Sequence, residues 1–398
     1  MNILFLAQRV PYPPNRGDKI TTWRICERFS RDHDVTIVAF AHDEADVEAA
    51  RVLNEEKGIR TIAIPHNERS KKMRALPLLL TNKPLTLGVF SSKKLQTEVD
   101  RLLPGTDFVY AFSSSMGAFM TGKDTPWVMH FAELDSDKWL QYSSKHRFPM
   151  SAVYRREWKT LRTFERKIAA ETMTNVLCTP LEEVIFQREI PGCPSTVMRN
   201  GVALNHYQPQ PEAAEEAHCV FIGVMDYFPN IDGCVWFADE ILPLIRAEMP
   251  LVRFTIVGSK PTSEVIALGE REGIKVTGFV DDPRDYLRKA AVSVAPLRVA
   301  RGIQNKVLEA LAMGLPTVGT TSATQGVEGT PGQDFLVADT AEAFAKEVIA
   351  LLRDPGSARA LGDRGRKFVE GTYDWERCLA PLDGMLDQVR SIQLNGPQ

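Results

Sequence analysis

The 398-residue chain lacks paired cysteines, long apolar runs and a strong net charge. Its six cysteines are scattered with no Cys-x-x-Cys pair, which argues against both a disulfide framework and a zinc site. No stretch approaches the ~20 consecutive apolar residues that a membrane-spanning helix requires. The first residues carry neither the basic region nor the cleavage site of a secretion signal. We therefore expect a cytoplasmic protein with reduced thiols, no metal and no cofactor.

The net charge of −3 hides an uneven distribution. Lys and Arg outnumber Asp and Glu over residues 1–200, and the reverse holds beyond them. The basic residues concentrate in 69–80 and 145–167, where apolar residues interrupt them. A basic, partly amphipathic surface can contact an anionic membrane face, and an ordinary solvated helix face explains the same pattern. The acidic balance of the whole chain and the lack of a binding motif argue against a nucleic-acid partner.

Short apolar runs alternate with helical patterns in two successive series. The predicted strands cover 2–6, 35–40, 108–112, 127–130 and 175–179, and then 219–223, 252–258, 275–279, 292–296 and 316–320. The chain is too long for one hydrophobic core, and the Pro-, Ala- and Glu-rich stretch 208–217 has the composition of a connection. We predict an α/β protein with two doubly wound parallel-sheet domains, 1–207 and 208–374, that face each other across a cleft.

The stretch RGIQNKVLEALAMG (301–314) follows a predicted strand that ends at Pro296. Ligands of open parallel sheets bind beyond the carboxyl ends of the strands, so this is the expected ligand side. We predict a helix that begins near Gly302. Its unpaired backbone amides favour an anion such as a diphosphate, and the glycine permits close approach.

One narrow polar sector runs along this otherwise apolar helix. It contains Gly302, Asn305, Lys306 and Glu309, whereas Ile303 begins the apolar stripe. A lysine supplies a compact positive charge for phosphate oxygens, and a carboxylate can accept two hydrogen bonds from the hydroxyls of a ribose. The sector therefore suits a nucleotide. An ordinary surface ion pair between the lysine and the glutamate is the alternative interpretation.

Several motifs resemble those of family 4 glycosyltransferases, which have the GT-B fold. LEALAMGLPTV, preceded by TIVG, VTGFVDD and VSVAPLR, is similar to their carboxyl-terminal domain. RVPYPPNRGDKITTWRICERFSRDHDVTIV is similar to their first β-α-β unit, and MRNGVALNHYQP to their NGVD hinge signature. The combination of PYPPNRGDKI, LDSDKW, YRREW, VMDYFPNIDG and ARGIQNKVLEALAMG resembles, more narrowly, the sugar transferases associated with exosortase-type exopolysaccharide clusters. The resemblance covers nearly the whole chain.

The resemblance implies a retaining transfer of a hexosyl group from a nucleotide sugar, and a last helix, 375–393, that crosses back to the first domain. Because fixed positive charge at the helix N-terminus stabilises the leaving diphosphate, we expect the transfer to need no metal. Glu309 matches the second Glu of the Glu-x7-Glu motif, which holds the nucleotide ribose. The first Glu is replaced by Arg301, and the phosphate-clamping Arg and Lys of the family are absent from GVMDYFPN. We hypothesise that Arg301 and Lys306, together with Arg298, supply this positive charge instead. Gly302, Ile303 and Asn305 complete this part of the donor site.

The same resemblance implies three further parts of the site. Gly17 would let the first loop approach the donor phosphates, His130 would lie near the reacting sugar carbon, and the backbone near Gly278 to Val280 would contact the base. A helix-entry turn with Asp18 as N-cap is the alternative for Gly17, and a satisfied polar core residue is the alternative for His130. The acidic pair in DSD (135–137) is expected to bind no metal.

The sequence is also compatible with two other functions. A sugar-nucleotide epimerase would share the fold but needs no acceptor, and a non-catalytic sugar-nucleotide sensor is compatible with Arg301 in the motif. A dehydrogenase is disfavoured because the first β-α turn lacks Gly-x-Gly-x-x-Gly. The basic first half favours a glycan or polyprenyl-linked glycan as acceptor.

Overall fold

The computed structural model describes residues 1–209, 217–300 and 302–395. The chain divides into two compact units, of which the first comprises 1–199 and the segment from Leu379 onward, and the second comprises 200–378. The second unit thus begins earlier than the predicted boundary at 208. Val202 explains the difference, since it bridges Asp374 and its amide donates to the carbonyl of Tyr373 at 2.8 Å. Most of the predicted connection, 210–216, lies outside the described residues.

The first unit contains a seven-stranded parallel sheet with the order β3-β2-β1-β4-β5-β6-β7 in the described part of the chain. Its strands are β1 (Asn2–Ala7), β2 (Asp34–Ala41), β3 (Arg60–Pro65), β4 (Phe108–Phe112), β5 (Trp127–Ala132), β6 (Asn175–Leu177) and β7 (Ser195–Val197). The central strands are buried almost throughout because helices cover both faces of the sheet. This explains why their sequences read as continuous apolar runs rather than as an alternation.

The helices of the first unit connect these strands. They are α1 (Gly17–Phe29), α2 (Glu44–Glu55), α3 (Glu68–Ala75), α4 (Leu85–Val89), α5 (Lys93–Leu102), α6 (Ser114–Gly117), α7 (Asp135–Lys145), α8 (Met150–Ala170) and α9 (Pro180–Glu189), with a 3₁₀ turn at Leu76–Leu80. Side chains such as Leu6, Val38 and Trp127 fill the core on one face of the sheet. The hydrophobic burial of these side chains is the main term that stabilises the unit.

The second unit contains a six-stranded parallel sheet with the order β10-β9-β8-β11-β12-β13 within the described ranges. Its strands are β8 (His218–Ile222), β9 (Arg253–Val257), β10 (Ile274–Val276), β11 (Val292–Ala295), β12 (Thr317–Gly319) and β13 (Leu336–Val337). Its helices are α10 (Phe228–Trp236), α11 (Leu242–Glu248), α12 (Ser263–Leu268), α13 (Arg284–Lys289), α14 (Asn305–Ala312), α15 (Thr321–Thr324), α16 (Ala341–Arg353), α17 (Pro355–Thr372) and α18 (Trp375–Leu379). The prediction of two parallel α/β domains is confirmed.

The last helix, α19 (Pro381–Asn395), belongs to the first unit. Two contacts attach it there. Asp383 accepts a hydrogen bond of 2.7 Å from Arg28 on α1, and Gln393 donates one of 2.9 Å to Asp107 just before β4. The predicted single helix over 375–393 is therefore two helices, α18 and α19, with a break at residue 380.

Candidate functional site

The carboxyl ends of β8 and β11 are followed by the two loops that build the candidate site. The loop after β11 runs from Pro296 to Gln304, with residue 301 outside the described residues. Gly302 has a φ of +61°, and Gln304, the N-cap of α14, is extended. The helix therefore begins at Asn305, and the predicted start near Gly302 is wrong. A glycine with a positive φ cannot continue a right-handed helix, so the turn lies before the helix instead of inside it.

The faces of α14 separate as the polar sector predicts, but over a shorter length. Val307, Leu308 and the alanines and leucine from 310 to 312 are buried, while Lys306 and Glu309 are partly exposed. Gly302 and Ile303 lie in the loop, so the helical sector consists of Asn305, Lys306 and Glu309. The Oδ1 atom of Asn305 is buried without a hydrogen-bond partner within the described residues.

Lys306 is held between two neutral groups of the neighbouring strand and helix. Its Nζ donates a 2.5 Å hydrogen bond to Oδ1 of Asn230 on α10, and it lies 4.6 Å from the ring centroid of Phe221 on β8. Burial lowers the pKa of Lys306 to about 8, because an ammonium loses more hydration than these neutral partners return. Cation–π attraction offsets a part of that cost.

Glu309 lies one turn further along α14, beside Tyr207. Burial raises the pKa of Glu309, and the hydrogen bond from the Tyr207 hydroxyl and the charge of Lys306 act in the opposite direction. Arg366 on α17 fixes the position of Tyr207, because it donates to the backbone carbonyls of both Tyr207 and Ala312. Tyr207 was not predicted as a site residue, although it lies inside the hinge-like stretch MRNGVALNHYQP.

The hypothesised phosphate clamp includes two arginines, of which the structure describes one. Arg298 forms two hydrogen bonds with Asp232 of α10, at 2.6 and 3.0 Å, and lies over the ring of Trp236. Its guanidinium is thus already bound to a carboxylate, which weakens its attraction for a phosphate. Arg301 lies outside the described residues. Of the three cations in the hypothesis, Lys306 is therefore the one that the described residues place at the start of α14.

The loop after β10 carries the two positions that were expected to contact the base. Gly278 has a φ of +69°, and a Cβ atom there would meet open space. Val280 packs against a buried cluster that includes Ala310 and Met313, at the end of α14 and just beyond it. This packing brings the loop next to α14.

Gly17 and His130 belong to the first unit. Gly17 is exposed at the first position of α1, whose N-cap is Arg16. The alternative reading with Asp18 as N-cap is wrong, because this carboxylate lies inside the first turn and pairs with Arg16 at 2.6 Å. His130 is completely buried on β5, and its Nδ1 lies 2.8 Å from the Tyr110 hydroxyl.

The electrostatic state of His130 follows from this burial. Burial lowers the pKa of the imidazole to about 3, so the ring is neutral at physiological pH. Its Nε2 has no hydrogen-bond partner among the described residues. A role in orienting substrate stays a prediction for this residue.

The acidic pair at the start of α7 is held by protein side chains. Asp135 accepts from the hydroxyl of Ser114, and Asp137 lies 3.3 Å from Arg162. In the part of the chain that the structure describes, no three His, Cys, Asp or Glu side chains are grouped so as to hold a metal ion. The described residues also contain no helix that is both long enough and apolar enough to span a membrane.

Comparison with known proteins identifies the class of the second unit. Residues 216–354 match the family described as "Glycosyl transferases group 1". An uncharacterized 44.6 kDa protein in the cps region of Klebsiella pneumoniae is 17% identical over 396 residues, which are 96% of this chain and 98% of that protein. A GDP-mannose-dependent mannosyltransferase of Corynebacterium glutamicum, which acts on a monoacylated phosphatidylinositol monomannoside, is 28% identical over 149 residues, which are 34% of this chain and 39% of that protein.

Solved structures extend the likeness to both units. The sucrose-phosphate synthase of Thermosynechococcus elongatus superposes with a TM-score of 0.75 and 18% identity, covering 98% of this chain and 99% of that chain. Anabaena HepE in complex with UDP superposes with a TM-score of 0.70 and 15% identity, covering 98% of this chain and 100% of that chain. The protein therefore has the GT-B fold of glycosyltransferases. Within it, residues 216–354, which match the group 1 glycosyl transferase family, contain α14 with Lys306 and Glu309.

Proposed function

We propose that the protein is a retaining glycosyltransferase that moves a hexosyl group from a nucleoside diphosphate sugar to a glycan or lipid-linked glycan. The observation that carries this proposal is that Lys306 and Glu309 lie on one face of the first turns of α14. This pair follows the carboxyl end of β11 inside the segment that matches the group 1 family. Membership of family 4, and of its exosortase-associated branch, rests on the sequence motifs.

The proposed chemistry follows from the charge that develops during the reaction. Breaking the bond between sugar and diphosphate places additional negative charge on the leaving group. The positive end of the α14 helix dipole and the ammonium of Lys306 supply positive charge for this group. A dipole and a cation that are already in place need no reorganisation during the reaction, so they lower its barrier without a metal.

Glu309 supplies the second half of donor recognition. A carboxylate can accept two hydrogen bonds from vicinal hydroxyls, and Glu309 lies on the same face of α14 as Lys306, one turn further from the helix start. The Tyr207 hydroxyl already occupies a part of its hydrogen-bonding capacity. Gly278 supports the base contact, because its positive φ and the open space beside it leave its backbone accessible.

The acceptor and the biological role are inferred from chemistry and from similar proteins. The cps region of the Klebsiella relative supports a role in exopolysaccharide or other cell-surface polysaccharide biosynthesis. The lipid-linked acceptor named for the Corynebacterium relative supports an acceptor of the same kind here.

A lipid-linked acceptor brings the protein to a membrane surface. Leu80 at the end of the 3₁₀ turn is 93% exposed, Phe148 before α8 is 84% exposed, and Met73 is 70% exposed. Arg156 of α8 donates to backbone carbonyls of the segment that contains the 3₁₀ turn, which ties this turn to α8. Exposed apolar side chains among the basic residues of α3 and α8 suit an anionic lipid surface.

An assay of nucleoside diphosphate release tests the proposal. UDP-glucose and GDP-mannose are incubated with the protein, with and without lipid-linked oligosaccharides, and with EDTA in a parallel series. We expect release that depends on the acceptor and survives EDTA. Conversion of the nucleotide sugar to its epimer without an acceptor would replace the proposal by the epimerase. Binding of the donor without any turnover would replace it by a sensor.

A further inference from the structure

Asn230 connects Lys306 to the loop after β8. Its Oδ1 accepts the 2.5 Å hydrogen bond from the Lys306 ammonium, and its Nδ2 donates a 2.8 Å hydrogen bond to the backbone carbonyl of Val224. The side chain is only 4% exposed. Because a backbone carbonyl takes the amide NH₂ group, the amide oxygen must face the ammonium. The orientation of Asn230 is therefore fixed by the fold and does not depend on Lys306.

The backbone around Asn230 leaves room for this amide and for little else. A Cβ atom on Gly223 would lie 2.6 Å from Nδ2 of Asn230, so the residue that follows β8 has to be a glycine. The backbone N–H of Asn230 also donates to the carbonyl of Tyr227 at 2.9 Å, which places the residue in the first turn of α10. The loop and the helix are thus built around one buried polar side chain.

The two contacts of the ammonium are neutral, which determines how its charge responds to a ligand. Three charged or titratable groups lie on the neighbouring elements. The two that act on Lys306 are Glu309 on α14 and the buried thiol of Cys234 on α10; the carboxylate of Asp232, the third, is paired with Arg298. Burial lowers the pKa of Lys306 to about 8, so a part of the molecules carry a neutral lysine near that pH.

We propose that Asn230 positions the Lys306 ammonium for the diphosphate of the donor, and that donor binding is therefore coupled to uptake of a proton by Lys306. This inference rests on the proposed function. A diphosphate beside the lysine favours its charged form, and linkage then requires that the complex binds protons more tightly than the free protein. Asn230 is a positioning residue in this scheme, since it acts on the donor through Lys306.

Isothermal titration calorimetry with UDP-glucose and GDP-mannose tests the coupling. The diphosphate diester of these probes does not titrate between pH 7 and pH 9. Their bases begin to lose a proton near pH 9, but equally so with every variant, so the difference between the wild type and the Asn230 variants reports the protein. With a pKa near 8, the charged fraction of Lys306 falls from about nine-tenths to about one-tenth over this range. We expect about tenfold weaker binding at pH 9 than at pH 7. Proton uptake should appear as a difference in the heat of binding between Tris and HEPES buffers at the same pH.

Two substitutions of Asn230 separate positioning from general structural damage. Asn230→Asp places a carboxylate at the ammonium, so Lys306 stays charged through pH 9, the pH dependence disappears, and affinity at pH 7 falls. Asn230→Ala removes the acceptor, so the midpoint of the pH dependence moves below that of the wild type. Damage alone gives no such opposite shifts. Asp226→Asn, an exposed change in the same loop, serves as the control and is expected to leave the profile unchanged.

The outcomes distinguish this inference from the function on which it rests. Failure of both nucleotide sugars to bind the wild type at any pH overturns the proposed function together with the coupling. Binding that is independent of pH in the wild type, or a profile that both Asn230 variants share with it, overturns the coupling and leaves the proposed function standing.

Discussion

Replacing Glu309 with glutamine tests whether this side chain binds the ribose. The amide has nearly the same shape and keeps one oxygen as an acceptor for Tyr207, but it loses the charge and one acceptor group. A hydrogen bond to a charged group contributes ~1.5–3 kcal/mol, which corresponds to about 10- to 150-fold in affinity. Because burial raises the pKa of Glu309, its charge is unfavourable in the folded protein. We therefore expect Glu309→Gln to be at least as resistant to thermal unfolding as the wild type.

A double comparison isolates the contact between Glu309 and the ribose. Dissociation constants are measured for UDP and GDP, and for their 2′-deoxy forms, with the wild type and with Glu309→Gln. The wild type should prefer the ribonucleotide by about 10- to 150-fold, and the variant should lose most of this preference. An unchanged preference for the 2′-hydroxyl in the variant would refute the assignment, whatever happens to the absolute affinity. Thermal unfolding of both proteins checks that the fold is intact.

Three further predictions follow from other parts of the structure. Gly258→Ala should abolish folding or lower the melting temperature steeply, since its Cβ would lie 1.6 Å from a backbone oxygen, whereas Gly371→Ala, with open space on α17, should raise stability by up to ~1 kcal/mol. Leu80→Asp should reduce co-sedimentation with anionic vesicles, and Leu251→Asp, which is equally well exposed on the second unit, should not. Burial raises the pKa of Glu165 to about 8. The protonated carboxyl therefore contributes fully to the free energy of unfolding below pH ~4.5, and this contribution is lost as the pH rises through 8. Glu165→Gln should flatten this part of the dependence of the free energy of unfolding on pH, measured by denaturant titration at each pH.

The sequence predicted the central strands well and the peripheral elements poorly. β4 was expected over 108–112 and has these bounds, because a buried parallel strand is a short continuous apolar run. β3, β7 and, in the second unit, the two-residue edge strand β13 were missed. β7 is an edge strand of three half-buried residues, and the burial of β3, at the other edge, is irregular, so neither has a clear periodicity. Strand prediction depends on burial, and edge strands have less of it.

The sequence also predicts one helix over 234–248, and the structure corrects its start and its geometry. It begins earlier, at Phe228, because Pro229 occupies one of the first helical positions, where its missing N–H costs nothing. It also contains a π-helical turn, Phe237–Ile241, which ends two residues before Pro243. A proline within a helix removes one backbone hydrogen bond, and the wider turn accommodates the gap.

The candidate site was predicted at the level of individual residues but not of their partners. Lys306 and Glu309 are recognisable in the sequence because charged residues on an otherwise apolar helix are unusual and indicate a binding role. Their partners are distant in sequence, since Asn230 lies 76 positions from Lys306. The pairing of Arg298 with Asp232, 66 positions apart, is equally invisible in one sequence. Such contacts depend on which strand ends are neighbours in the sheet, and this order is set by packing of the whole unit.

The arrangement of Lys306 and Glu309 also explains why both are available to a ligand. These residues are three positions apart on α14, where an ion pair would neutralise both charges at low cost. Within residues 302–395 no such pair forms; the ammonium turns to Asn230 and the carboxylate to Tyr207. Burial therefore remains the dominant influence on each charge, and it lowers the pKa of the lysine and raises that of the glutamate. A ligand with an anion and a pair of hydroxyls at the matching distance would satisfy both, so binding of a nucleoside diphosphate should raise the melting temperature more than binding of inorganic diphosphate.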